Sequence, residues 1–177
     1  MNAIDYFKST LGQEIPATYR SKLVLDPDDW RTIMFFTPYN KLSDPLSVNG
    51  RSFREKILPR AFSGSIFEGG IYCLYEHSWD YVLGRQNENF TIAEGKDGLK
   101  CRLQLESTEF SMSLLDAVSA GELACSVGMS VTEERWPRSN ERHVIAAILR
   151  EISLVRRAAY PQTSSCFSRP PGQERRV

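Results

Sequence analysis

Two histidines occur in this chain of 177 residues, His77 and His143. Histidine is the side chain that exchanges a proton near neutral pH without a large shift in pKa. His77 sits in CLYEHSWD, at the end of an apolar strand-like run and just before a turn, where a side chain is both held and accessible. It reads either as a general base or as a satisfied histidine of surface or core. His143 lies in a polar stretch and reads first as solvated. A nucleophile is offered by GELACSVGMSV, residues 121–131. With period two, Leu123, Cys125, Val127, Met129 and Val131 form an apolar face, and Ala124, Ser126, Gly128 and Ser130 a small, polar one. Gly128 leaves space beside the Ser126 hydroxyl, and glycine inside a strand marks close approach of another backbone or of a ligand. A nucleophilic serine needs a base in hydrogen-bond reach, a third group to orient that base, and donors for the oxyanion. Glu151, in LREISLV, falls among Ile148, Leu149, Ile152 and Leu154, so its carboxylate is partly buried and needs a partner. A histidine would serve; so would Arg150, Arg156 or Arg157. The residues alone leave open a serine hydrolase site and a set of ordinary polar contacts.

These side chains need strands to carry them. Residues 1–30 are polar and mixed, with DPDD at 26–29, and read as a lead-in rather than core. RTIMFFTPY at 31–39 reads as a buried strand, and 40–50 as a loop rich in Ser, Pro, Asp, Asn and Gly. PRAFSGSIF at 59–67 suits a short helix with proline in its first turn, ended by Gly70 before a strand at 71–77. Residues 91–98 read as turn-bearing, and Leu99, Cys101, Leu103 and Leu105 then alternate with Lys100, Arg102 and Gln104 as a strand. Over 108–120 the period changes: Phe110, Leu114, Leu115 and Val118 have helical spacing, with Thr108 or Ser107 as N-cap and Gly121 as terminator. The serine strand follows, then a polar turn around 136–141 and one or two strands over 144–155. From Pro161 the composition turns to Ser, Pro, Gly, Gln and Arg, as in disordered tails. This order lacks the regular strand–helix alternation of a parallel sheet. It predicts an α+β chain, mainly antiparallel β, as a small barrel or sandwich flanked by a few helices. The expected division is a lead-in at 1–30, one domain at 31–163 and a disordered tail at 164–177.

Lys+Arg and Asp+Glu balance at 22 each, which argues against nucleic acid as a partner because the phosphate backbone demands a basic excess. No run of about 18 apolar residues predicts a membrane span, and the N-terminus lacks the pattern of a signal peptide. Cysteines 73, 101, 125 and 166 have no CxxC spacing; three alternate with apolar residues and read as buried, reduced thiols of a cytosolic chain. With no paired ligand motif, no metal and no cofactor are expected.

The chain resembles the phage prohead (capsid maturation) protease family, a group with a herpesvirus-assemblin-like fold. The resemblance runs over about residues 31–163 in an ordered series: FREKILPRAF at 53–62, LYEH at 74–77, VLGR at 82–85, DGLKCRLQL at 97–105, AGELACSVGMSV at 120–131 and LREISLVRRAAYP at 149–161. It implies a closed or partly closed β-barrel and a serine endopeptidase with Ser126 as nucleophile, His77 as general base and Glu151 as the acid that orients it. His143 is the fallback for the third role, and Arg156 and Arg157 are candidates beside the oxyanion. The chain departs from the family at Arg60, where glycine is usual, at Met129, where an aromatic is usual, and at Ala158, where proline is usual.

By resemblance the substrates are the major capsid protein and a scaffold protein, with self-cleavage in the tail from Ser164, a dimer or higher homo-oligomer, and action in the host cytoplasm within the assembling prohead. No scaffold-like helical extension follows the similar region, so the scaffold is expected as a separate protein or as part of the capsid protein. The rival reading is a catalytically silent capsid-assembly or scaffolding protein of the same fold. An α/β-hydrolase esterase is disfavoured, because the chain lacks the G-x-S-x-G elbow and its serine is mid-strand.

Overall fold

The computed structural model describes residues 17–18, 22–26, 28–48 and 50–156. The tail at 164–177, Cys166, Arg157 and most of the lead-in lie outside them. Among the described residues eleven strands and two helices follow in chain order: β1 (Ala17–Thr18), β2 (Lys22–Leu25), β3 (Thr32–Pro38), β4 (Leu46–Val48), β5 (Arg51–Ile57), α1 (Ser63–Glu68), β6 (Tyr72–Tyr75), β7 (Ser78–Arg85), β8 (Phe90–Glu94), β9 (Gly98–Gln104), α2 (Glu109–Ser119), β10 (Leu123–Arg138) and β11 (Glu141–Arg156). The molecule is α+β and mostly β, and its larger sheet curls into a half-barrel; the closed barrel implied by the resemblance goes beyond this.

The smaller sheet is antiparallel, in the order β2-β3-β9-β8. β9 keeps the alternation its sequence announces, with Leu99, Cys101 and Leu103 buried and Lys100, Arg102 and Gln104 exposed. The larger sheet is organised by β11. β10 runs antiparallel along one side of it. On the other side β5 pairs in parallel with 141–144 and β6 in parallel with 151–154. One apolar cluster joins both sheets, Ile33, Phe35 and Leu103 meeting Cys73, Val127, Ile152 and Leu154. Cys73, Cys101 and Cys125 are buried, unbridged thiols, and burial pushes Cys73 and Cys101 well above the usual thiol range.

Helix α2 forms as its ends dictate. The Thr108 side chain accepts the Ser111 N–H (3.1 Å), a cap worth about 1 kcal/mol. At the other end Gly121, at φ 73, donates its N–H to Val118 O and Glu122 donates to Ala117 O, the paired bonds of a Schellman ending. Leu114, Leu115 and Val118 are buried. Phe110 is not: it is 42% exposed and packs its ring on Tyr75 and Tyr81.

Several segments differ from the sequence reading. The loop at 40–50 contains β4, and the first half of the turn-bearing 91–98 belongs to β8, whose Phe90 and Ile92 alternate with Thr91 and Ala93 over a stretch too short to register. The short helix begins at Ser63, because residues 59–62 are taken up by turns around Arg60, at φ 69. Strands also occur inside the lead-in, at 17–18 and 22–25.

Candidate functional site

The site is built on one face of the β10–β11 pair. Ser126 lies opposite Ser153, and Gly128 opposite Glu151. Directly opposed residues of an antiparallel pair project to the same side, so Ser126, Gly128, Glu151 and Ser153 share a face. Cys125, Val127, Ile152 and Leu154 face the core. Between Gly128 and Met129 the register shifts, since Met129 pairs with Leu149 and Arg150 becomes the extra residue of a bulge. Without that bulge Glu151 and Leu149 would share a face; with it Leu149 stays in the core and Glu151 is aimed away from it.

His77 comes from β6, the parallel neighbour of β11. Tyr75, the last residue of β6, pairs with Leu154, and the chain then turns through Glu76 and His77, both left-handed at φ 51 and 56. Two consecutive non-glycine residues in that region are strained and need outside support. Glu76 supplies it: its N–H donates to Leu154 O (2.9 Å), and its Oε1 accepts the Arg156 N–H (2.7 Å). The turn swings the imidazole back over β11, where His77 Nδ1 is 2.6 Å from Glu151 Oε1. The imidazole is 27% exposed and the carboxylate 8%.

The second carboxylate oxygen of Glu151 accepts a hydrogen bond from the Ser153 hydroxyl. Gly128 supplies the room: a Cβ there would stand 2.8 Å from Glu151 Cδ and 2.9 Å from Cγ. The space that the sequence leaves beside Ser126 is thus filled by the acid. Nor is the small, polar face open to solvent at its centre, since Ser126 is 1% exposed.

The family of caudovirus prohead serine proteases matches residues 23–171. The chain belongs to that family. Membership makes it a serine protease of phage capsid maturation and implies capsid and scaffold proteins as substrates and the prohead inside the host cell as the place of action. No curated protein and no solved structure matches the chain.

Within this prohead-protease chain, the structure brings His77 and Glu151 together on the face that carries Ser126. It does not bring His143 there. His143 bonds Glu141 through Nε2 (2.6 Å) and receives the Arg135 Nε–H at Nδ1 (3.2 Å). It lies eight residues before Glu151 on β11, roughly 26 Å at strand rise. Arg156 falls on the face of Leu154, opposite to that of Ser126, and its Nε donates to Tyr75 OH (3.1 Å). That bond and the Tyr75 oxygen raise its already high pKa. Of the other arginines weighed for Glu151, Arg150 donates to Ser130 Oγ (3.3 Å). Sequence reasoning passed over Ser153 and Glu76. Ser153 was within reach, since it stands two residues after Glu151 and period two puts both on one face. Glu76 was not, because its partner Arg156 is 80 residues away.

Proposed function

We propose that the chain is an endopeptidase in which Ser126 is the nucleophile, His77 the general base and Glu151 the orienting acid. The observation that carries this reading is the 2.6 Å bond from Glu151 to His77 Nδ1 on the face shared with Ser126. A carboxylate on Nδ1 fixes the tautomer with its proton there and leaves Nε2 to act on a hydroxyl. His77 takes the Ser126 proton as Oγ attacks the scissile carbonyl carbon, and it returns that proton to the departing amine. Water then hydrolyses the acyl-enzyme by the same route. Glu151 stays ionised throughout and stabilises the imidazolium. The oxyanion role of Arg156 would require its guanidinium to leave Tyr75. The substrates are the major capsid protein, a scaffold protein and the chain itself, cut in the host cytoplasm within the growing prohead, with the protease as a dimer or larger homo-oligomer.

The test is co-expression with the cognate major capsid protein and intact-mass measurement, for the wild type and Ser126→Ala. The wild type is expected to shorten the capsid protein or itself, and the variant neither. Unchanged masses in both, inside assembled shells, would leave the silent assembly protein as the better account.

A further inference from the structure

An endopeptidase nucleophile must meet a peptide, yet Ser126 is 1% exposed. The simplest way for a sheet to hold an extended peptide is to add it as a strand at a free edge. One side of β10 at Ser126 is taken by β11. The other is taken by the chain's own N-terminal segment: β1 lies antiparallel to β10, with Ala17 opposite Val127 and Thr18 opposite Ser126. The family match begins only at residue 23, so β1 stands outside the part this chain shares with its family.

Building on the protease reading, we propose that the edge of β10 at Ser126–Val127 is the strand-addition site for a peptide, and that Ala17–Thr18 fill it in the free chain as a self-blocking strap. A strand on this edge runs about 4.8 Å from β10 and carries its backbone past the Ser126 side chain. A substrate segment of the same extended form has to displace it. With two residues paired among those described, the strap yields to a competitor, but its covalent tether gives it a high effective concentration. Displacement then favours capsid segments crowded on the inner wall of a shell over the same segments dilute in solution, which ties activity to assembly. The occupant is extended backbone, so the site reads strand form first.

The experiment measures the rate at which a fluorophosphonate labels Ser126, and the rate of capsid-protein cleavage, in three forms: the full chain, a chain starting at Lys22, and the full chain carrying Ala17→Pro and Thr18→Pro. Proline cannot donate to a ladder, so the double substitution unpairs β1 without shortening the chain. Apparent activity scales with the fraction of molecules in the competent state. Both altered forms are therefore expected to react on the order of tenfold faster, and a synthetic peptide of residues 12–22 to slow the shortened chain again. If the shortened chain does not fold, the double-proline form decides alone. Equal rates in the full and double-proline chains, with Ser126 labelled in both, would overturn the strap and leave the protease reading standing. No labelling of Ser126 in any form would overturn both.

Discussion

Each half of β11 contributes a carboxylate to a histidine–carboxylate pair, and the two pairs have the same length. His77 bonds Glu151 at 2.6 Å, and His143 bonds Glu141 at 2.6 Å. Their surroundings differ. Glu151 is a buried carboxylate whose other oxygen takes a serine hydroxyl, and it engages Nδ1 of a histidine on a strained turn. Glu141 is shared with Lys56 (3.3 Å) and Arg138 (3.6 Å), while Arg135 occupies the other nitrogen of His143. Both imidazole nitrogens are spent at the distal end, and one remains for work at the site end. A short contact between histidine and acid is therefore no mark of catalysis by itself; what distinguishes the two is what the rest of each side chain is left to do.

Substitutions separate the pairs, from the largest expected effect downward. His77→Gln and Glu151→Gln should each lower kcat for peptide cleavage roughly ten-thousandfold, the first by removing the proposed base and the second by releasing its tautomer. His143→Gln and Glu141→Gln should change it less than about twofold, as substitutions remote from the chemistry do. Equal losses at both ends in a steady-state assay would end the distinction. Gly128→Ala should cost about a hundredfold in kcat, because the added methyl meets Glu151 Cγ and Cδ and pushes the carboxylate off His77. Its melting temperature should fall by about 2–12 °C, the counterpart of an overpacking cost of about 1–3 kcal/mol. A full loss of folding would make Gly128 a packing residue first. Ser153→Ala should lower kcat about tenfold with KM unchanged, and Ser153→Thr, which keeps the hydroxyl, should restore most of it.

The distal pair should instead show itself in stability. The His143 hydrogen bond first, and then the Lys56 ammonium, hold the Glu141 carboxyl below its ordinary 4.5. A carboxyl whose folded pKa is lowered adds stability above its unfolded value, and that stability is lost as pH falls through the lowered one. Thermal unfolding of wild type and Glu141→Gln should therefore differ at pH 7, and the difference should shrink as pH falls below 4.5 and vanish once it has passed the lowered value. A gap that does not shrink at all as pH falls below 4.5 would mean that the difference is packing and not charge. The smallest expected effect is at Arg60, which holds the left-handed φ 69 that favours glycine. Arg60→Gly should stabilise by about 0.5–1 kcal/mol in denaturant titration, since glycine takes that conformation freely.

Legibility followed the range of the interactions. Helix α2 could be read with both its ends, because its cap, its apolar spacing and its closing glycine lie within about a dozen residues of one another. β9 could be read because seven residues alternate without interruption. β4 and β8 could not, being short strands stabilised by neighbours rather than by their own pattern. Of the site, Ser126, His77 and Glu151 were each visible as residues with open alternatives. Their order in the resemblance ranked them, and no spacing could place the two that meet, which stand 74 residues apart.

What the sequence by itself determined is therefore the local chemistry. It placed a small, polar face around Ser126, a histidine at the end of an apolar strand, and a carboxylate buried among aliphatic residues. Alternation and capping act between near neighbours and are written in the chain directly. Tertiary structure alone decided that β6 lies parallel to β11, that a bulge at Arg150 turns Glu151 away from the core, and that the Gly128 vacancy is filled by that acid. It also decided which histidine the acid meets. These outcomes depend on strand register, and register is set by the summed packing of the whole sheet rather than by any one stretch of residues.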